Sequence, residues 1–277
     1  ADVVEEILRI HGYDHIPLPG RMKVSLSSKP DPDPESLRNG LAQTLVARGF
    51  REVMHNSLAP SAHLNLADDH SLDASRGVKL LNPLSSELDV MRQSLLPQHL
   101  ETVAHNRNHQ CPDLAFFEFG KSYSEDGNGG HIETEYLCLT LSGRTTPESW
   151  REPAQDGMSV LKGAVDALLT QCGVQGIARQ ALPGADFFKE GLELKAAQGF
   201  KARIGRVQPS VARSFGLDVD VFHAELPMKA LLGWSGKRRV KASGLARFPA
   251  VRRDLSLWIP KGVTYAEIDQ VVRQTAG

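Results

Sequence analysis

The stretch between residues 82 and 123 constrains the fold more than any other part of the sequence, because its hydrophobic periodicity changes several times over a short distance. Residues 82–87 predict a turn, since Pro83 cannot continue a ladder or a helix and the serines can hydrogen-bond to local backbone. Residues 88–92 then predict a short strand. Turn, strand and helix signals in such close order indicate an α+β fold.

A helix and an aromatic strand complete this stretch. Apolar residues at helical spacing predict an amphipathic helix over residues 97–108. Residues 114–119 predict an aromatic-rich strand that is closed by Gly120. A turn at residues 124–130 and a returning strand at residues 135–142 then predict an antiparallel hairpin.

The same periodicities predict the other elements of the chain. Helices are expected at residues 2–11, 35–47, 158–172, 211–215, 229–232 and 265–274. Strands are expected at residues 50–58, 78–81, 192–196, 201–207, 222–226 and 254–259. The Pro-containing segment 21–34 predicts an extended linker.

The charge and the cysteine content narrow the class of protein. The chain has 32 Lys and Arg against 33 Asp and Glu, a formal net charge of -1, so any RNA contact must come from a local patch. The three cysteines are Cys111, Cys138 and Cys172. They are isolated, which argues against a disulfide framework and favours a reducing cytoplasm. No run predicts a membrane span or a signal peptide.

Three acids in the first predicted helix form a candidate metal site. Asp2, Glu5 and Glu6 lie at i, i+3 and i+4, which places them on neighbouring helix surface. Clustered carboxylates suit a hard cation such as Mg²⁺. Acids are also favourable near the positive end of any helix dipole, and the spacing alone favours that explanation.

Two groups of histidines and acids are weaker metal candidates. His105 and His109 are one helical turn apart but lack the zincin glutamate, which favours surface or interface histidines. The polar region 61–77 matches no ligand motif and favours a solvated loop. Its candidate residues are His63, Asp68, Asp69, His70 and Asp73.

The sequences NPLSSELDVMRQSLLP, at residues 82–97, and FFEFGKSY, at residues 116–123, closely resemble the beta-subunit family of bacterial phenylalanyl-tRNA synthetase. The resemblance implies a class II aminoacyl-tRNA synthetase-like antiparallel sheet flanked by helices, in a catalytically inactive copy. It implies a subunit of an ATP-dependent phenylalanine–tRNA ligase, a cytoplasmic tetramer of two alpha and two beta chains that acts on tRNA(Phe). Helices 35–47 and 97–108 would pack against the alpha subunit, through faces that include Leu41 and Leu100.

The resemblance also divides the chain and assigns the acidic cluster. Residues 1–20 resemble the end of a small preceding B5-like module, residues 21–242 the synthetase-like core, and residues 243–277 the start of a ferredoxin-fold anticodon-binding-like domain. Both ends look cut, so the chain is expected to be a fragment from the C-terminal part of the subunit, without the editing domain. In the family, the D-x-x-E-E pattern contributes Mg²⁺ ligands, which implies Asp2, Glu5 and Glu6 here.

The active-site residues that the resemblance leads us to look for are replaced. Ser124 stands where a class II hairpin carries an arginine, and Lys229 stands near the place of a second arginine. Arginine matches phosphate oxygens with a planar fork, and lysine is not equivalent. Pro227 and Met228 occupy positions where small residues would let a nucleotide approach. These departures predict a synthetase-like fold without an active site.

Two other functions remain open from the sequence. A self-sufficient class II-like ligase would need ATP-binding arginines from elsewhere in the chain. A stand-alone tRNA- or RNA-binding module would use the basic residues near the end of the core, since Lys and Arg supply most phosphate contacts. These residues are Lys237, Arg238, Arg239, Lys241, Arg247, Arg252 and Arg253. A solvated hinge between domains explains them at least as well.

Overall fold

The computed structural model describes residues 2–17, 20–21, 32–66, 72–83, 85, 87–146, 150, 156–182, 184, 187–236, 244, 249, 251–252 and 254–275. The chain divides into one unit at residues 1–238 and a second at residues 239–277. Among the described helices, none combines the length and the hydropathy needed to cross a membrane.

The element order agrees with an α+β fold. The helices are α1 Asp2–His11, α2 Pro34–Val46, α3 Leu96–Asn108, α4 Gly157–Cys172, α5 Pro209–Ser214, α6 Met228–Ser235 and α7 Tyr265–Thr275. The strands are β1 Arg51–Glu52, β2 Leu58–Ala59, β3 Val90–Met91, β4 Leu114–Glu125, β5 His131–Ser142, β6 Ala178–Ala181, β7 Phe188–Lys195, β8 Lys201–Val207 and β9 Val221–Pro227. Short 3₁₀ helices occupy Tyr13–His15, Ser61–Asn65 and Ala74–Arg76.

A seven-stranded sheet with the order β1-β4-β5-β9-β8-β7-β6 forms the centre of the first unit. Only the short β1 pairs in parallel, with β4, and the other neighbours are antiparallel. The predicted hairpin is confirmed as β4–β5. Its turn is closed by Asp126, whose carboxylate accepts hydrogen bonds from the backbone N–H groups of Asn128 and Gly130, both at 2.8 Å.

Gly120 does not end its strand, so that prediction was wrong. β4 continues to Glu125, and Gly120 pairs with Tyr136 on β5. A Cβ atom at position 120 would lie 2.4 Å from Nη2 of Arg92 and 2.6 Å from the side chain of Leu95. The glycine therefore makes room for an arginine side chain that crosses over the strand.

Other strand predictions were also wrong in part. Residues 50–58 form two separate short strands, because the chain leaves the sheet after the Val53 N–H bonds to the carbonyl of Phe117. In the segment 78–81 only Lys79 makes a bridge, with Val90. Residues 254–259 form no strand in the part of the second unit that is described, and β6 was not predicted.

The two faces of the sheet are covered by different helices. One face packs with α2, α4 and α6 around the main apolar core, which includes Leu41, Phe117, Leu139, Leu168, Ile204 and Leu226. The other face packs with α3 and α5 in a second cluster, which includes Leu96, Leu100, Phe116, Phe188, Val211 and Val221. Leu41 and Leu100 are both 0% exposed, so these faces of α2 and α3 are used within the chain. The expectation that they contact another subunit was wrong for this reason.

Helix α4 shows how local sequence fixes an element against the core. Its N-cap residue Asp156 accepts a hydrogen bond from the backbone N–H of Ser159 at 2.9 Å. Its C-cap residue Gly173 has a φ of 75°, a left-handed conformation that glycine adopts without strain. Between the caps, Leu161, Val165 and Leu168 are buried.

Replacing Asp156 with alanine is expected to lower the free energy of unfolding by about 1 kcal/mol, because the substitution removes an N-cap hydrogen bond. Urea unfolding at neutral pH measures the change. Asp218→Ala, in an exposed loop, is the matched control and should leave the unfolding midpoint almost unchanged. Equal effects of the two substitutions would contradict the capping role.

Candidate functional site

A row of polar side chains crosses the sheet face that lies under α3. Glu118 on β4 pairs in register with Cys138 on β5, and Cys138 pairs with Glu225 on β9. Glu225 in turn pairs with Arg203 on β8. Residues directly opposite one another across strands point to the same face, so these four side chains are neighbours.

Glu118 is the centre of a buried network. Its Oε1 accepts from Nη2 of Arg92 at 2.9 Å, and its Oε2 accepts from Nδ1 of His55 at 2.6 Å and Nε2 of His99 at 3.0 Å. Burial raises the pKa of Glu118, but the two histidine hydrogen bonds and the Arg92 charge outweigh burial and hold this pKa well below its usual range. The carboxylate is therefore ionised.

Arg92 reaches Glu118 from the loop that precedes α3. It is 3% exposed and also donates to the carbonyl oxygen of Lys121 at 2.9 Å and to Oε1 of Gln98 at 3.1 Å. In the same loop, the Ser94 hydroxyl oxygen accepts from the backbone N–H of Leu96 at 3.1 Å, at the start of α3. The loop and the first turn of α3 thus hold the guanidinium in place.

A chain of hydrogen bonds runs from Glu118 through His99 toward β9. Nδ1 of His99 lies 2.7 Å from the hydroxyl oxygen of Thr140, and that oxygen lies 2.8 Å from Nδ1 of His223. His99 and His223 are both fully buried. Burial lowers the pKa of His99 to about 3, so this imidazole is neutral at pH 7.

The far end of the network is a second ion pair. Nη2 and Nε of Arg203 donate to Oε2 of Glu225 at 2.7 and 3.2 Å. Burial raises the pKa of Glu225, but the Arg203 charge outweighs burial and holds this pKa below its usual range. Arg92 and Arg203 are therefore each neutralised by a glutamate of the same network, and neither guanidinium is available to a phosphate group.

The network contains two sets of potential metal ligands. One set is His55, His99 and Glu118, and the other is Cys138, His223 and Glu225; within each set the ligand atoms lie within 4.8 Å of one another. Sequence reasoning missed both sets. The sequence feature that could have revealed them is a charged or polar residue inside an otherwise apolar strand, as in the run FFEF around Glu118.

A family model described as the phenylalanyl tRNA synthetase beta chain CLM domain matches residues 20–228. The chain belongs to the phenylalanyl-tRNA synthetase beta chain family. Phenylalanine–tRNA ligase beta subunits from Bacteroides thetaiotaomicron and Porphyromonas gingivalis are 33% and 32% identical to it over 289 and 285 residues. The chain spans about a third of the length of these relatives, since the matches cover 99% of the chain and 35% of each relative.

A solved structure supports the fold of this family member. The crystal structure of pyrrolysyl-tRNA synthetase from Desulfitobacterium hafniense matches with a TM-score of 0.57 and 14% identity, over 83% of this chain and 74% of the other. The expected class II synthetase-like antiparallel sheet with flanking helices is confirmed. At this level of identity the similarity concerns the fold alone.

Ser124 and Lys229, the residues expected in place of two active-site arginines, lie outside the buried network. Ser124 is near the turn end of β4 and pairs with Ile132. Lys229 is exposed on α6, while Pro227 ends β9 and Met228 is 5% exposed. The arginines that are present on the sheet face, Arg92 and Arg203, come from positions that the sequence analysis did not single out.

Asp2, Glu5 and Glu6, the predicted metal ligands, lie on the exposed surface of α1. Arg9 binds one oxygen of Glu5 at 2.8 Å and one oxygen of Glu6 at 3.1 Å. Asp2 occupies the first turn of the same helix. The donors are hard oxygens on one helix end, which suits Mg²⁺, although Arg9 competes for two of them.

The remaining candidate residues are separated from the network. The exposed rings of His105 and His109 lie 4.3 Å apart, and Nδ1 of His109 bonds to the carbonyl of His105 at 2.8 Å. His63 lies 3.4 Å from Glu101, and Asp73 caps the 3₁₀ helix Ala74–Arg76. Asp68, Asp69 and His70 lie outside the described residues, as do Lys237, Arg238, Arg239, Lys241, Arg247 and Arg253.

Proposed function

We propose that this chain is part of the non-catalytic beta subunit of phenylalanine–tRNA ligase. It would support the catalytic alpha subunit during the ATP-dependent attachment of phenylalanine to tRNA(Phe), in a cytoplasmic tetramer of two alpha and two beta chains. Membership of the beta chain family and the names of its relatives support this role. The observation that carries it is the pairing of Arg92 with Glu118 and of Arg203 with Glu225.

This pairing matters because a synthetase must stabilise negative charge on the phosphates of ATP. Such stabilisation needs donors aimed at the ligand and not already neutralised. Here α3 covers the sheet face, and both guanidinium groups on this face are paired with glutamates. A fold of this kind offers a rigid surface to a partner and holds no free phosphate site on this network.

The proposal also includes the domain organisation. Residues 1–20 would end a B5-like module, residues 21–242 would form the synthetase-like core, and residues 243–277 would start a ferredoxin-fold, anticodon-binding-like domain. The whole segment would lie in the C-terminal part of the beta subunit. The family match over residues 20–228 supports the core portion of this division.

Contact with the alpha subunit would use the outer side of α2. Val46 lies on this side and is 59% exposed, in contrast to the buried Leu41. Val46→Asp would therefore change the surface without burying a charge. Association with the alpha subunit that is unimpaired by Val46→Asp would count against this side of α2 as the contact.

Phenylalanine-dependent ATP–pyrophosphate exchange tests the function. We expect no exchange by this chain alone, and exchange above that of the cognate alpha subunit when the two are mixed. Activity of the isolated chain would favour a self-sufficient ligase and overturn the proposal. Strongly salt-dependent tRNA binding by the isolated chain, without any stimulation of the alpha subunit, would instead favour a stand-alone RNA-binding module.

Asp2, Glu5 and Glu6 are the proposed Mg²⁺ ligands. A bound Mg²⁺ would supply positive charge that bridges these carboxylates to oxygen ligands of a partner surface. Arg9→Gln is expected to strengthen Mg²⁺ binding, because the arginine competes for Glu5 and Glu6. The combined change of all three acids to their amides is expected to abolish it. Calorimetric titration of the mixed subunits measures both effects, and an unchanged affinity in the triple amide variant would remove the assignment.

A further inference from the structure

One nitrogen in the centre of the sheet lacks a hydrogen-bond partner. Nε2 of His223 is buried, and no partner for it occurs in the part of the chain that the structure describes. The whole side chain is 0% exposed. Leaving a buried polar atom without a partner is costly, so such an atom points to a bound water or ion.

The hydrogen-bond chain that leads to His223 assigns its protons. The Glu118 carboxylate only accepts, so neutral His99 donates through Nε2 and accepts at Nδ1. The Thr140 hydroxyl therefore donates to His99, and its oxygen must accept from Nδ1–H of His223.

Nε2 of His223 has no hydrogen-bond acceptor within reach among the described residues. A protonated ring would need an acceptor at Nε2, and the carboxylate oxygen facing it, Oε1 of Glu225, lies 3.7 Å away. That distance is too long for a hydrogen bond. Glu225 is already neutralised by Arg203. The Nε2 atom of His223 therefore carries a lone pair, which is the state that binds a metal ion.

Two further ligand atoms lie near His223. Sγ of Cys138, a carboxylate oxygen of Glu225 and an imidazole nitrogen of His223 form a group in which every pair of atoms is within 4.8 Å. Ligands of a tetrahedral zinc ion with bonds of about 2.0–2.2 Å are separated by roughly 3.3–3.6 Å. The 3.7 Å between Nε2 of His223 and Oε1 of Glu225 needs only a small adjustment to meet this spacing.

Neighbouring groups hold these ligands in place through hydrogen bonds, as is usual around bound metal ions. Nδ1–H of His223 is fixed on Thr140, and Oε2 of Glu225 is fixed on Arg203, while Oε1 accepts a long hydrogen bond of 3.3 Å from the Ser94 hydroxyl and lies toward the histidine. The set of His55, His99 and Glu118 differs in this respect. In that set both histidines already donate to Oε2 of Glu118 at 2.6 and 3.0 Å, and Oε1 is held by Arg92, so that set is closed without an ion.

We propose that Cys138, His223 and Glu225 bind one divalent ion of the zinc type, which ties β5 to β9. Nitrogen, sulfur and carboxylate ligands suit this class of ion. Binding converts the Cys138 thiol to a metal-bound thiolate and releases one proton to solvent. The thiolate offsets one positive charge of the ion, the Glu225 carboxylate is shared between the ion and Arg203, and a water completes the fourth position. The inference does not rest on the proposed ligase function, because all three ligands belong to this chain.

Cobalt substitution tests the site. The full chain is stripped with a chelator under reducing conditions and titrated with Co²⁺, which reports thiolate ligation through a sulfur-to-cobalt charge-transfer band. We expect one equivalent of Co²⁺, the charge-transfer band and its loss on adding Zn²⁺. Cys138→Ser is expected to abolish the band. Thr140→Val is expected to weaken Co²⁺ binding about 10- to 100-fold, because it removes the hydrogen bond that orients His223.

Matched controls separate this site from adventitious binding. Cys111→Ser, at an exposed cysteine, and His55→Gln, in the closed ligand set, are expected to retain the band. A band that survives Cys138→Ser, or the absence of Co²⁺ binding, would overturn the proposal. If Cys138→Ser does not fold, alkylation of Cys138 in the unaltered protein under mild denaturant decides the question. Zn²⁺ should slow it several-fold, and equal rates would overturn the site.

Discussion

Replacing Glu118 with glutamine is expected to lower the free energy of unfolding by about 3–5 kcal/mol, which is the range for breaking one partner of a buried ion pair. Arg92 would be left as a buried charge, since both side chains of this pair are 3% exposed or less. Two histidine donors would also lose an ionised acceptor. Urea unfolding at neutral pH, followed by far-UV circular dichroism, measures the loss.

The control for this prediction is an ion pair of similar length on the same hairpin. Lys121 and Glu133 are 2.8 Å apart with half-exposed side chains, so Glu133→Gln should leave the unfolding midpoint almost unchanged. The double variant of Glu118→Gln with Arg92→Met should lose less than the sum of the two single variants, because it leaves no unpaired charge. Additive losses in this cycle would show that the pair is not the source of the effect.

Lowering the pH from 7 to 5 is expected to cost about 2 kcal/mol of unfolding free energy through His99 alone, with a slope that approaches 1.36 kcal/mol per pH unit below pH 6.5. Burial lowers the pKa of His99 from 6.5 to about 3, so between these values the unfolded state binds a proton that the folded state does not. The contribution of His99 to the free energy of unfolding is therefore fully present above pH 6.5 and is lost as the pH falls toward 3. Urea unfolding at several pH values between 7 and 5 gives the slope.

His99→Gln is expected to remove most of this slope, whereas His105→Gln, at an exposed histidine of the same helix, should keep it. A smaller slope remains in His99→Gln, because burial also lowers the pKa of His63. The carboxylates of Glu118 and Glu225 do not interfere in this window. Their pKa values lie below the usual 4.5, so their stabilising contribution is lost only below that pH. A slope that His99→Gln leaves intact would contradict the neutral, buried histidine.

The sequence predicted the elements whose signals are local. α4 was recognisable because apolar residues repeat at helical spacing up to Gly173, and the β4–β5 hairpin because its turn is rich in Gly, Asp and Asn. The strand was predicted to end at Gly120, but no turn occurs there. Glycine is needed at this position because the Arg92 side chain passes close to it.

The polar network was not predictable in the same way. The pairing of Thr140 with His223 and of Cys138 with Glu225 joins segments that are far apart in sequence, and no local pattern records which residues meet. Ser124 and Lys229 suggested from family resemblance that an active site is lost. They did not indicate that buried arginines remain on the sheet face with glutamate partners.

The strand order of the central sheet has a consequence for how the molecule folds. β4 and β5 form one local hairpin, and β6 to β9 form one local meander, so β5–β9 is the seam where two sequence-local halves join. The two strands of this seam are separated in sequence by α4, β6, β7, β8 and α5, and such non-local pairings are slow to form. Thr140, His223, Cys138 and Glu225 all lie on the seam. The polar network is therefore complete only after the two halves have docked, and its hydrogen bonds then stabilise the contact between them.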